Sequence, residues 1–152
     1  MARSTAPGPR GDRRTMTSRH PRVRTAADLE AVWRRLIEPL GFGSRQIFAI
    51  MLSRDGEVFP SIVNVTDCPS APDELMLENL ASGLREGLDA MDAQGSCAVF
   101  WARPTPGGTR ATDVAWARAL GAAMAKYSLG DWPIHVADDF VLRVVTPDDL
   151  AA

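Results

Sequence analysis

Three stretches with apolar residues at helical spacing alternate with five short apolar runs along residues 25–152. That alternation restricts the fold to a sheet with helices packed on it. Thr25-Ala26-Ala27-Asp28 reads as a capping box, with Asp28 in the place usually held by Glu. Leu29, Val32, Trp33, Leu36 and Ile37 then recur on one helical face, and Pro39 and Gly41 end it. Ile47–Leu52 is a continuous apolar run of a length suited to a strand buried on both faces. Ser53-Arg54-Asp55-Gly56 supplies a turn, and Val58, Phe59, Ile62, Val63 and Val65 predict a second strand bent at Pro60.

After a loop over 66–72, Pro72 fits the first turn of a second helix, with Asp73, Glu74 and Glu78 near its positive end. Leu77, Leu80, Leu84, Leu88 and Met91 form its apolar stripe. Gly95 precedes a third strand, Cys97–Trp101. A loop over 103–112 leads to a helix predicted from Asp113 to Tyr127, with Trp116, Leu120, Ala123, Met124 and Tyr127 facing the core. Pro133–Val136 and Phe140–Val145 read as a last hairpin around Ala137-Asp138-Asp139. The expected architecture is α/β (α+β): a mixed sheet of about five strands with three helices, in the order α-β-β-α-β-α-β-β.

Residues 1–24 fall outside this pattern. They hold Pro, Gly, Ser and Arg with almost no apolar side chains, so they cannot offset their own ordering entropy. We expect a disordered, arginine-rich leader over 1–24 and one globular domain over 25–152, with Met16 an alternative start. The leader carries seven arginines against one aspartate, a formal +6; the rest carries ten basic and eighteen acidic residues, a formal −8. An acidic domain is a poor nucleic-acid binder, so any nucleic-acid contact falls to the basic leader. One lysine against sixteen arginines points to a high-GC, bacterial genome. Two cysteines make no disulfide framework, the leader has no apolar signal region, and no apolar run is long enough to span a bilayer. The expected location is the cytoplasm, with no membrane partner.

Chemistry is limited by scarcity. Inside the folding region His135 is the single histidine, and Cys68 and Cys97 lack metal-ligand spacing. His135 lies beside Ile134 and Val136, which suits a half-buried structural role; the alternative is an acid–base residue near Asp138 and Asp139. Asp138-Asp139 and Asp148-Asp149 could chelate a cation, though turns favour aspartate for local reasons. Cys97 reads as a small core residue and Cys68 as a loop thiol. Trp101 and Trp132 sit at element ends, where exposure would make them interface anchors. The richest segment is the strand–loop–helix from Cys97 to Tyr127. Its loop holds Arg103, Gly107, Gly108, Thr109, Arg110 and Thr112 and runs into a helix N-terminus, a setting for an anion. It lacks the Gly-Lys-Ser/Thr ending of a nucleotide P-loop.

Phe100-Trp101-Ala102-Arg103-Pro104, the turn-rich loop, Thr112-Asp113 and the early strand Arg45–Leu52 together resemble the JAB/JAMM metalloprotease-like domain, in its RadC-like branch. The resemblance covers roughly residues 25–146. In that family a buried strand ends in His-x-His-Pro, an Asp opens the next helix, and an upstream Glu is the general base. The resemblance implies Trp101 and Arg103 in the positions of the zinc-binding histidines and Gln46 in that of the catalytic Glu. Pro104 and Asp113 match, with the loop one residue short. Trp cannot ligate zinc, a guanidinium repels it, and Gln cannot take a proton from a metal-bound water. The expectation is a pseudoenzyme with no cofactor and no bound metal, in which Arg103 pairs with Asp113 in place of a metal's cross-link.

The expected function is therefore non-catalytic binding or regulation through protein–protein contacts, with a partner protein or a second copy. The working surface would be Trp101, Arg103, Thr109, Arg110, Thr112 and Asp113. A different class of reading is a module that binds a phosphate or carboxylate at the 103–112 loop and helix start. A third is a hydrolase using His135.

Overall fold

Helix α1 (Ala26–Ile37) begins at the Thr25 capping box: the Thr25 hydroxyl accepts from the Asp28 amide, and the Asp28 carboxylate accepts from the Thr25 amide. The computed structural model describes residues 22–104, 111–146 and 150. The helix stops at Ile37 because Glu38, which precedes a proline, is extended. Strands β1 (Gln46–Leu52) and β2 (Val58–Val65) form a hairpin, followed by α2 (Glu74–Met91), β3 (Ser96–Ala102), α3 (Ala111–Lys126), β4 (His135–Ala137) and β5 (Leu142–Val144). The sequence order is the one expected.

The five strands make one mixed sheet in the spatial order β2-β1-β3-β4-β5. β3 and β4 run parallel, and the other neighbours are antiparallel. A parallel pair needs a long crossover, and α3 supplies it. Strand alternation divides the core. Ile47, Ala49, Val99 and Trp101 point to the face covered by α2 and α3. Ile50, Leu52, Ala98 and Phe100 point to the other face, where α1 places Leu29, Val32 and Trp33. Trp33 stacks on Phe100 with ring centroids 5.2 Å apart. The sheet is thus a middle layer, which is why β1 and β3 are apolar on both faces.

Edge strand β2 is continuous, and its register with β1 is irregular around Pro60, where a bend was expected. Ile50 pairs with Ile62 and Leu52 with Val58, so residues 59–61 stand against Met51 alone. A bulge with a proline weakens an exposed edge as a template for further strands.

Several boundaries differ from expectation. Val23 is buried and its amide donates to the Gly56 carbonyl at 2.7 Å, so core contacts begin before Thr25. Gly56 permits this approach: its φ is +88°, and a Cβ there would sit 2.5 Å from the Val23 carbonyl oxygen. Pro72 precedes the cap rather than entering the first turn; Asp73 is the N-cap and accepts from the Met76 amide. Met91 ends the α2 stripe exposed, at the helix's last turn. Helix α3 starts at Ala111, two residues early, and Ala123 and Tyr127 are half-buried. Phe140 and Val141 lie in the β4–β5 turn, exposed, because Asp138 folds that turn around its own carboxylate. The leader through residue 21, Thr109, Arg110 and Asp148-Asp149 lie outside the described residues.

Candidate functional site

Strands β3 and β4 end side by side, and their carboxyl ends carry the polar cluster. The Arg103 amide donates to the Ala137 carbonyl at 3.0 Å, fixing the chain just past β3. Asp113 enters from the first turn of α3, where the helix dipole favours a carboxylate. The two side chains meet inside the protein: Arg103 is 6% and Asp113 2% exposed. Arg103 Nε donates to both Asp113 oxygens at 2.8 and 3.0 Å, and a terminal guanidinium nitrogen donates to Oδ2 at 2.9 Å. This is the paired geometry that a planar guanidinium and a carboxylate share.

Trp101 completes the arrangement. Its indole Nε1 donates to Asp113 Oδ1 at 2.9 Å. The ring stacks on Trp116 of α3, with centroids 4.4 Å apart and planes 14° from parallel. Trp116 in turn donates to the Ser70 carbonyl at 3.1 Å. The bonds to Asp113 hold the guanidinium above its ordinary pKa against its burial, and the Asp113 and Asp138 charges add to that. Asp138 is itself buried and accepts from the Phe140 and Val141 amides at 2.8 Å each.

The remaining cavity beside these groups is about 10 Å³, lined in part by Arg103, Asp113, Asp138 and Arg143. That is close to the least space a single water needs. Among the described residues the cluster is packed, with no room for an organic substrate.

The predicted residues separate in the structure. Trp101, Arg103 and Asp113 come together. Thr112 is exposed on the first turn of α3. Gln46 is not brought to them: its register partner is Ala102, on the sheet face opposite Trp101, and its Oε1 accepts from Asn64 Nδ2 at 3.1 Å. Trp101 has no exposed surface and is not an interface anchor, whereas Trp132 is half-buried and donates to Ser96 Oγ at 2.8 Å. The part Asp138 plays is legible only once β4 lies beside β3.

His135 is fully buried, not half-buried. Opposite Phe100 in register, it faces the α1 side, and neither ring nitrogen has a hydrogen-bond partner of normal geometry. Burial lowers its pKa, and Arg34 adds to that; Glu30 and the Pro133 carbonyl act in the other direction. Its supposed partners are engaged elsewhere, since Asp139 accepts from the Phe42 amide at 3.0 Å. Cys68 is a loop thiol as expected, and it is buried: it is 3% exposed, its Sγ points to the Val65 carbonyl, and burial raises its pKa. Cys97 is buried as expected, and its thiol is pushed up to about 11. Neither is a ready thiolate.

The donor set does not fit a metal. Among the described residues no group of three His, Cys, Asp or Glu side chains stands together. Among the described residues, the side chains that bond Asp113 are an indole N–H and a guanidinium, which donate hydrogen bonds and cannot ligate. No helix among the described residues is long and apolar enough to cross a membrane. Comparison of the chain with protein-family models, with curated proteins and with solved structures finds no match in any of the three.

Proposed function

We propose that this chain is a non-catalytic binding or regulatory protein on a JAB/RadC-like scaffold, acting through protein–protein contacts around the segment between Trp101 and Asp113. The observation that carries the reading is the state of Asp113. The one acidic residue matching the family's metal ligands is saturated by the Trp101 indole and the Arg103 guanidinium. The pair links the end of β3 to the start of α3 and anchors both ends of the loop between them. An Asp113 bonded in this way is taken out of metal chemistry, which leaves the segment to partner contact. The His135 hydrolase reading has no support, because a fully buried imidazole cannot touch a substrate. The anion reading loses Arg103, whose guanidinium is turned inward onto Asp113.

Zinc titration by calorimetry tests the scaffold. Wild-type protein is expected to take up no stoichiometric zinc. The double variant Trp101→His with Arg103→His, placed two residues apart at the end of β3 and facing Asp113, is expected to gain a zinc site. Stoichiometric zinc in the wild type that Asp113→Ala abolishes would refute the reading. A thermal-shift series with inorganic phosphate tests the anion alternative, which requires stabilisation that Arg110→Ala removes.

A further inference from the structure

Helix α3 turns a strip of alanines, closed by Lys126, toward the open side next to α2. Its sixteen residues carry three charges, of which Asp113 is buried and Lys126 closes the last turn. By contrast α1 carries four charges in twelve residues. The outward positions of α3 include exposed Ala122 and Ala125 and half-buried Ala119. The third charge, Arg118, is exposed and donates to the Leu150 carbonyl, which leaves alanines on the side toward α2; a face of that kind suits an interior, yet this one borders open space. Between it and α2 runs a groove of about 700 Å³. Glu74, Leu75 and Glu78 form the α2 wall; Ala119, Ala122 and Lys126 belong to the α3 wall. Leu75 stands on the rim 70% exposed.

We propose that a second copy of this chain fills the groove, related by a two-fold axis running along it. Such an axis sets each α2 wall over the partner's α3 wall. Leu75 then drops onto the small residues of the opposite α3, and the acidic rim meets the basic rim, each contact occurring twice. An isologous interface requires this self-complementarity, in which a patch carries both a knob and its hollow and both signs of charge. An unrelated helix would need only one half of that set. The existing Lys126–Glu78 contact at 2.9 Å joins two exposed side chains, so it contributes little and can re-pair across the axis. Glu74 has no ion pair among the described residues. The proposal stands apart from the reading of Asp113, which lies at the other end of α3.

Light scattering and sedimentation equilibrium on the full chain, 16.4 kDa as a monomer, test it. The expected result is a concentration-dependent doubling of mass. Ala122→Glu and Leu75→Lys, both at exposed positions, should each give a monomer with an unchanged circular-dichroism spectrum. Glu74→Lys and Lys126→Glu should each weaken the dimer by about tenfold or more, and their combination should recover most of the loss. A chain that stays monomeric to millimolar concentration overturns the proposal and leaves the groove to another occupant. A dimer indifferent to Ala122→Glu and Leu75→Lys overturns it by placing the contact elsewhere. A charge swap that recovers nothing overturns the stated axis.

Discussion

Arg103 and Asp113, ten residues apart in sequence, close on each other through three hydrogen bonds of 2.8 to 3.0 Å, with side chains 8% and 2% exposed. The pair joins the end of β3 to the first turn of α3. In a dry setting a charge pair is costly to break, because the surviving charge has neither water nor a partner.

Arg103→Ala is therefore expected to destabilise the protein by about 3–5 kcal/mol. Arg103→Lys should recover only part of this, because an ammonium lacks the planar fork that meets both carboxylate oxygens. Replacing both partners, Arg103→Met with Asp113→Leu, should cost less than Arg103→Ala alone. Urea denaturation measures all three. Additive single effects would show that the two side chains do not act as a unit.

Trp101→Phe keeps a ring against Trp116 but deletes the N–H that Asp113 accepts. The expected loss is about 1–3 kcal/mol, the cost of leaving a buried acceptor short of one donor. Urea midpoints at constant slope check it, and Trp33→Phe is the control. The Trp33 indole nitrogen is buried without a partner, so losing that N–H forfeits no bond.

His135 makes stability depend on pH with a definite sign. In the unfolded chain its imidazole takes up a proton near pH 6.5, an ordinary value for histidine. Burial holds the folded-state pKa below that. The unfolded chain thus binds the proton first. Its contribution to stability is complete above about pH 6.5 and is lost as pH falls through that value toward the lower folded pKa. His135→Leu should remove this part of the acid slope. At pH 8 the variant should be as stable as the wild type or more so, since it also removes two unpartnered nitrogens. Thermal melts across pH 5 to 8 give the answer, and equal slopes would show that His135 is not the titrating group.

Gly56→Ala should cost about 2 kcal/mol, because φ there is +88° and the added Cβ would overlap the Val23 carbonyl. The Val23 amide, which donates to Gly56, should lose hydrogen-exchange protection ahead of the sheet. Protection equal to wild type would place the anchor of this segment elsewhere.

Local rules carried much of the architecture. The capping box at Thr25, the proline stop after α1, the Gly56 turn and the leucine stripe of α2 act within a few residues of themselves, and the sequence states them directly. Element order and the mixed sheet follow, since a continuous apolar run such as Ile47–Leu52 must be covered on both sides. The pairing of Arg103 with Asp113 was also within reach, because a strand end and a helix start flank one loop. Long-range placement decided the rest. Gln46 lies on the opposite face from Trp101 because β1 runs beside β3 in one particular register, and a shift of one residue would reverse that. His135 is sealed because β4 stands between β3 and β5 under α1, and no neighbour in sequence signals it. Cys68 is buried and Met91 exposed for the same kind of reason. Periodicity tells which residues can share a face, but burial is a property of what other elements bring to that face.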